Sequence, residues 1–412
     1  MLLVDALGYD MVTPEVMPYL SGLENEGRFS PLTPVLGYSD AQRAALFTGG
    51  YPADIGYWTD SRMSYNSSVL RPFSYLAPLD HLPSDLIRRG IKFMLANSAT
   101  PIQARRTGFR SLPLYNIPFR VMGHFQPALR GTMFDPCPFP DAPTIFDLMR
   151  AQRLKFSVVQ SDRFGLRNMF RMPDALSPRL CRAIEQVDTD TQLLYVYLHS
   201  VDTLGHRHGI RSHQFPKVLA SADRTIESII EAARQRLGPD LETVIVSDHG
   251  FNHTERFVDL GYLLKQLGFG REYLAALDST MVRVWYFNDA ARSRIRPLIE
   301  ELGLGEFLSP EELRELGVNF TSRDYFDEVY LLRPGISIYP NYHSYLKPMA
   351  MHAYHPDGAD QQGVAFFLGR RLAEVRPVTA KLHMTDIMPI VAGLLGLESP
   401  QVAGRSRQLQ RR

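Results

Sequence analysis

The chain is poor in cysteine, with only Cys137 and Cys181 among 412 residues. Two thiols at that spacing match no zinc module and build no disulfide framework, so both are predicted to be small buried hydrophobes. An excess of charge of one sign is missing too. Lys+Arg of 45 against Asp+Glu of 44 leaves a formal +1, which excludes broad attraction to a nucleic-acid duplex or an anionic membrane. An anionic ligand would have to be attracted by metals or by a few arginines. No apolar run approaches the roughly 18 residues that a membrane span requires. Met1-Leu2-Leu3-Val4 is apolar but Asp5 interrupts it at once, unlike a signal peptide, so the expectation is a cytoplasmic protein. There is no Gly-x-x-x-x-Gly-Lys-Ser/Thr loop, which excludes P-loop nucleotide chemistry. No internal repeat is present.

What is there reads as an ordinary globular protein, 45% hydrophobic and 22% charged, and long enough to bury a large core. Short apolar runs end in acidic residues or histidine. Leu2-Leu3-Val4 leads into Asp5, Leu193–Leu198 into His199-Ser200-Val201-Asp202, and Thr243–Val246 into Ser247-Asp248-His249-Gly250. Such runs suit buried parallel strands. Phe156–Val159 and Val364–Leu368 are further strand candidates. Helical patterns lie between them, at Glu15–Glu26 (with Gly27 placed to stop it), Pro143–Met149, Ser221–Gln235 and Thr385–Leu395. This alternation predicts an α/β fold, an α/β/α sandwich around a mostly parallel sheet, with ligands beyond the carboxyl ends of the strands.

Two stretches break the alternation. Residues 61–136 are rich in Pro, Arg and aromatics. Residues 257–345 carry their own helices, Ala290–Leu302 and Ser309–Leu316, and a strand at Val282–Phe287. The predicted organisation is a metal-binding catalytic core from 1–60, 137–256 and 346–400, with 61–136 and 257–345 as insertions capping the strand ends. A polar, basic tail at 401–412 is expected to be disordered.

Several residues at these strand ends can carry chemistry, and each has a plain structural alternative. Asp202 and His206 are four apart; on a helix they would share a face, but they follow a strand and flank Gly205, so a turn holding both on one ion is predicted. The alternative is a capping Asp beside a surface His. Asp248 and His249 end a strand, and with Gly250 permitting a tight turn both can aim at one point; a buried core pair is the bland reading. Carboxylate and imidazole together suit zinc, manganese or iron better than calcium. Asp5 alone could be a cap, and His352 alone a structural histidine. Ser39 follows Gly37-Tyr38 and precedes a helical pattern, near an N-cap, where capping and anion binding are compatible. Arg43, one helical turn on, can hold a non-bridging oxygen or lie solvated on the surface. Lys347, shortly before His352, is a candidate anion contact of the same kind. The aromatics and arginines Trp58, Tyr65, Phe73, Tyr75, Arg105, Arg106, Phe109 and Arg110 could line a leaving-group pocket, or simply pack.

The order of these features resembles the alkaline phosphatase superfamily, and most its nucleotide pyrophosphatase/phosphodiesterase branch. It runs Asp after strand one, Ser before a helix with Thr48-Gly49 downstream, Asp-x-x-x-His, Ser-Asp-His-Gly, then a late His. The resemblance spans residues 1–60, 140–256 and 350–397. It implies two divalent metal ions, zinc first, with manganese or iron as alternatives. Asp202, His206 and His352 would match the ligands of one. Asp5, Asp248 and His249, with the oxygen of Ser39, would match those of the other. Thr48-Gly49, Tyr51-Pro52 and Gly56 align Ser39 with the nucleophile. Diesterases of the family usually carry threonine there and monoesterases serine. Asp40-Ala41-Gln42-Arg43 stands where the family has Phe-Pro-Asn-His, and Asp60 loosely matches an asparagine that contacts a phosphoryl oxygen. The implied activity is hydrolysis of a small-molecule phosphate ester, nucleotide-containing ones among the candidates, through a phosphoserine on Ser39. A phosphodiesterase is favoured; a phosphomonoesterase or phosphoryl transferase is the alternative. A sulfatase is disfavoured because Ala41 replaces the proline of the maturation motif, and a non-catalytic metal-binding relative because every ligand type is present.

Overall fold

A computed structural model of the chain describes residues 1–23, 28–64, 68–110, 112, 114, 116–140, 142–164, 168, 170–344, 346–372 and 381–398. The basic tail, Tyr65 and the end of the predicted Glu15–Glu26 helix lie outside the described residues; its described part is the short helix Pro18–Gly22. The chain divides into two compact units. One is built from residues 1–55, 141–253 and 348–412, the other from 56–140 and 254–347.

The first unit is centred on a seven-stranded sheet. Its strands are β1 (Leu2–Val4), β2 (Arg28–Thr33), β3 (Phe156–Gln160), β4 (Leu193–Leu198), β5 (Thr243–Val246), β6 (Gly363–Leu368) and β7 (Leu382–His383), in the order β7-β2-β6-β5-β1-β4-β3. β3, β4, β1 and β5 pair in parallel, as do β2 and β7; β6 alone runs antiparallel to both its neighbours. Every residue of β1, β4 and β5 is buried. That is why these strands read as unbroken apolar runs.

Alternation along the strands feeds two helix layers. Leu2, Val4, Leu194, Val196 and Leu198 join one apolar cluster with Leu176, Leu180 and Ile184 of the helix Pro173–Glu185 and Ile226, Ile229 and Ile230 of the helix Phe215–Leu237. Tyr195 turns the other way. Its ring meets Phe47 of the helix Ser39–Thr48 at 5.2 Å and Phe146 of the helix Ile145–Ala151 at 6.5 Å. The helix Met384–Leu394 packs on Ser39–Thr48 as well. The predicted sandwich is therefore present.

The second unit holds a four-stranded antiparallel sheet, Tyr273–Leu277, Met281–Tyr286, Glu328–Leu332 and Gly305–Phe307. It also holds a 23-residue helix, Asp85–Thr107, and the helices Asp289–Glu300 and Pro310–Glu315, the last closed by a capping box between Ser309 and Glu312. Of the two readings open to Trp58, a leaving-group pocket or simple packing, it takes the second: it is fully buried, packed against Phe320, Tyr325 and Phe326. Phe73 is buried too, while Tyr75, Arg105, Arg106 and Arg110 are exposed. The cysteines depart from expectation. Cys181 is half-buried, and Cys137 is exposed, at a loop position with a φ of 48°. Among the described residues, no helix is long and apolar enough to cross a membrane.

Candidate active site

The carboxyl ends of β1, β4 and β5 bring the chemistry-bearing side chains of the first unit together. Asp5 follows β1, its N–H bonded to Leu198 O of β4 at 3.0 Å. The loop after β5 is tied to the loop after β1: Ala6 N–H donates to Asp248 Oδ1 at 3.1 Å and Leu7 N–H to Ser247 Oγ at 2.7 Å. Gly250 has a different reason from the tight turn expected. A Cβ there would lie 2.4 Å from Asp360 O, so glycine is needed because another backbone passes against it.

Asp202 and His206 sit on a helix, Ser200–His208, and not on the turn predicted from Gly205. The helix continues through Gly205 because the ring of Phe251 packs there; a Cβ would come within 2.4 Å of its Cε2. The i, i+4 spacing then places His206 Nε2 3.1 Å from Asp202 Oδ1. His352 arrives from a short ladder, Ala350–Met351 against Asn252–His253, which puts its Nε2 3.8 Å from Asp202 Oδ1. Its ring stacks on His249 with centroids 3.6 Å apart.

Ser39 is the first residue of its helix. Tyr38 occupies the N-cap, and no side chain caps the helix. The capping role open to Ser39 is therefore not the one it takes. Its Oγ points to His249 Nε2, 3.1 Å away. Arg43, one turn on, is partly buried, ion-paired with Asp40, and lies 5.3 Å over the ring of Tyr197. Tyr197 donates its hydroxyl to Asp5 Oδ2. Sequence reasoning missed Tyr197; the signal was its place two residues after Tyr195, on the same face of β4 as the serine helix.

Two sets of ligand atoms converge within 4.8 Å: Asp202, His206 and His352, and Asp5, Asp202 and His249. Asp202 belongs to both. Asp248 stands at the margin, with Oδ2 3.6 Å from His249 Nε2 and Oδ1 held by the Ala6 amide.

The electrostatics are those of a cation site. Burial, with Asp248 and Asp202 nearby, holds the Asp5 carboxyl well above its ordinary range, and burial lifts Asp248 to about 7. Burial keeps His249 below its ordinary value, and burial with His249 and His206 nearby pushes His352 well below. Burial opposes a charge on Asp202, yet the adjacent His206 prevails and lowers its pKa. His206 Nδ1 and His249 Nδ1 each meet a backbone carbonyl, Ala350 O at 2.6 Å and Gly250 O at 3.0 Å. A carbonyl only accepts, so Nδ1 carries a proton in both rings. Burial opposes a charge on His206 but Asp202 raises its pKa, so when charged it also donates from Nε2; only in the neutral ring does Nε2 turn a lone pair toward the carboxylates. Asp5 Oδ1 and Asp248 Oδ2 are buried without a hydrogen-bond partner. Lone pairs facing carboxylate oxygens are unfavourable by themselves and become ligands around a divalent cation; a carbonyl behind each imidazole is the usual support for such ligands. The residues fit a metal.

Two further expected residues lie in the second unit. Asp60 precedes the short strand Ser61–Met63, its carbonyl bonded to Ala128 N–H at 2.8 Å. Lys347 is exposed, with Nζ 4.8 Å over the Phe257 ring. One feature beside the ligands has no counterpart in the sequence reading: Ala6 and Ala353, which follow Asp5 and His352, take φ of 63° and 65°. Left-handed backbone at a non-glycine residue costs about 1–2 kcal/mol and turns the chain sharply after each putting forward its side chain.

Known proteins give an independent comparison. Residues 93–304 match the sequence model of the family described as type I phosphodiesterase / nucleotide pyrophosphatase. A curated relative, ectonucleotide pyrophosphatase/phosphodiesterase 1 of Saccharomyces cerevisiae, is 34% identical over 95 residues. That match takes in 20% of this chain and spans 13% of the yeast protein's length. Among solved structures, murine ectonucleotide pyrophosphatase / phosphodiesterase 5, as an inactive variant in complex with AMP, aligns with a TM-score of 0.67 at 13% identity. The alignment covers 98% of this chain and 97% of the murine one. The human protein of that name aligns at 0.67 and 14% identity, covering 98% and 97%.

Proposed function

The chain belongs to the type I phosphodiesterase / nucleotide pyrophosphatase family, within the alkaline phosphatase superfamily, and on that premise we propose that it hydrolyses phosphodiesters with Ser39 as nucleophile and two divalent metal ions as cofactors. The observation that carries this reading is the aim of Ser39 Oγ, 3.1 Å from His249 Nε2 and away from the capping role open to it. Asp202, His206 and His352 would hold one cation, and Asp5, Asp248 and His249 the other, zinc being the metal that best suits the donor set. When bound, such cations supply Lewis acidity that makes a serine hydroxyl a competent nucleophile and stabilises negative charge on the attacking and leaving oxygens.

The chain's own residues do the rest. Ser39 presents its oxygen from the first turn of a helix, where unpaired backbone N–H groups favour a bound phosphate. The Oγ–phosphorus bond forms as the bond to one ester oxygen breaks, the serine proton leaving with that alcohol, which gives a phosphoserine that still carries the other ester group. Water then breaks the Oγ–phosphorus bond and returns Ser39 with its proton. Two in-line displacements give net retention at phosphorus. Arg43 is the candidate donor to a non-bridging oxygen from the Ser39 helix. The AMP bound to the murine relative supports a nucleotide-containing substrate.

Ser39→Ala is expected to lower hydrolysis of bis-p-nitrophenyl phosphate by about three orders of magnitude or more, while the purified protein keeps its metal by elemental analysis. Turnover like the wild type's would reject Ser39 as nucleophile. A serine where the family's diesterases usually carry threonine favours monoester hydrolysis as the second reading. Parallel kinetics on p-nitrophenyl phosphate decide between them: a strong preference for the monoester would displace the diesterase assignment.

A further inference from the structure

We infer that the helix Asp85–Thr107 is a self-association surface, on which a second copy of this chain seats the same helix in antiparallel register. The helix is inverted relative to an ordinary amphipathic one. Arg89, Lys92, Thr100 and Ala104, at helical spacing, are the residues it buries. Leu86, Ile87, Phe93, Met94 and Ile102 lie on the open side, 80, 53, 49, 62 and 55% exposed. The orientation is fixed from within its own unit: Arg89 donates to Ser344 O at 2.7 Å and Gln103 Nε2 to Val69 O at 3.2 Å.

Three features of the open face point to another helix. No exposed residue from Leu86 to Ile102 is charged. The polar side chains there, Asn97 and Ser98, donate back to Phe93 O at 2.7 Å and Met94 O at 2.8 Å, and a donor already engaged lowers the cost of burial. Ile87, Met94 and Pro101 stand seven residues apart, the spacing that draws a seam along a helix for a partner helix. Gly90 lies beside that seam. A Cβ there would meet no described residue within 4 Å, so no described contact calls for glycine, a residue that weakens a helix interior. What it offers is close approach of a second backbone.

The exposed apolar side chains amount to on the order of 500 Å² in each copy, near the top of what a monomer leaves open. Two such faces bury on the order of 1,000 Å², the size that a specific interface must reach. The chain itself supplies the matching helix. A two-fold axis through Met94 sets Met94 against its own image, Ile87 against Pro101, and Gly90 beside Asn97 and Ser98, so one face serves both copies. A parallel pair would bring the exposed Arg105 and Arg106 of both copies together, and the antiparallel pair keeps these like charges apart. A lipid surface fits less well. An interfacial helix opens its cations to the headgroups, whereas Arg89 and Lys92 are buried.

The test is sedimentation equilibrium of the full chain, in which wild type should be dimeric at micromolar concentration. Met94→Asp and Met94→Lys each set like charges face to face on the two-fold axis. Each should weaken the dimer about a hundredfold or more, with native circular dichroism because Met94 is exposed. Mixed in equal amounts, the two variants should form a heterodimer, since their charges then attract. Gly90→Leu makes the face more apolar yet blocks the close approach, so it should weaken the dimer, whereas indiscriminate hydrophobic association would tighten. The inference is overturned by a wild type that is monomeric at about 100 μM, by a dimer that survives Met94→Asp, by a mixture that stays monomeric, or by tighter association of Gly90→Leu. A monomeric wild type that binds phosphatidylcholine vesicles, and loses them in Met94→Asp, would overturn it in favour of a membrane.

Discussion

Tyr197 is the residue on which the geometry of the ligand cluster leans without being a ligand candidate itself. Its hydroxyl donates to Asp5 Oδ2, which leaves Oδ1 facing His249 Nε2 at 3.4 Å. Arg43 over its ring holds it from the far side, so the helix carrying Ser39 and the strand end carrying Asp5 are coupled through one aromatic side chain. Burial keeps the phenol protonated, raising its pKa well above 10.0, and a protonated phenol is a donor over the whole working range of pH. Groups that hold a metal ligand in this way are worth about 10–100-fold in metal affinity. Tyr197→Phe should therefore weaken zinc binding by about that factor in a chelator competition while leaving the far-UV circular dichroism unchanged. Equal affinity in the two proteins would show that Asp5 is positioned by its backbone alone. The fault would be hard to see from sequence, because a tyrosine in an apolar strand is read as packing unless its face is known. Asp5, Asp248, His249 and His352 were legible because each interrupts or follows an apolar run at a strand end, where carboxylates and imidazoles have no packing use, whereas Asp202 and His206 stood out by their spacing of four.

Among the elements, the helix Ser200–His208 shows how residues that the fold does bring together can be read from sequence with the wrong local structure. Glycine inside a short segment after a strand reads as a turn, yet here it is what lets a helix pass under Phe251, a residue itself only 2% exposed. Gly205→Ala should force that ring or the helix to move. Overpacking of this kind costs about 1–3 kcal/mol, and it acts on the residue preceding His206. Expected are a lower melting temperature and a lower metal stoichiometry together; a variant with native stability and full metal would mean that the ring yields freely. Other elements were illegible for related reasons. β2 contains Pro31, which argues against a strand within a sheet; the described pairing of β7 reaches only Leu32 and Thr33, so at Pro31 the strand behaves as an edge. The helix Asp85–Thr107 was hidden by Gly90 and Pro101 and by Asn97 and Ser98, whose side chains bond back to the carbonyls of Phe93 and Met94. The buried parallel strands carried no such interruptions, and the α/β class followed from them directly.

At the scale of the whole molecule, the candidate ligands are drawn from the length of the sequence, from Asp5 through Asp202 and Asp248 to His352, yet all lie in one compact unit. A cation held by them would join the first strand, the middle of the chain and the segment near its end, closing loops of well over a hundred residues in one step. It would also relieve the unfavourable burial of the carboxylates of Asp5 and Asp248. Unfolding would release it, because the scattered ligands have no common geometry in an open chain. Metal binding is therefore folding free energy for this unit, on the order of 4 kcal/mol when free metal stands at about a thousand times its dissociation constant. In a domain of 150–250 residues each kcal/mol moves the melting temperature by about 2–4 °C, so removal of metal should lower it by about 10 °C. The second unit contributes none of these ligands and its own melting should not respond. Scanning calorimetry with and without a chelator should show one transition moving down and, if the units melt apart, the other standing still. A transition of the first unit that ignores both chelator and added zinc would leave the Asp/His cluster as a polar core, and the proposed chemistry without its cofactor.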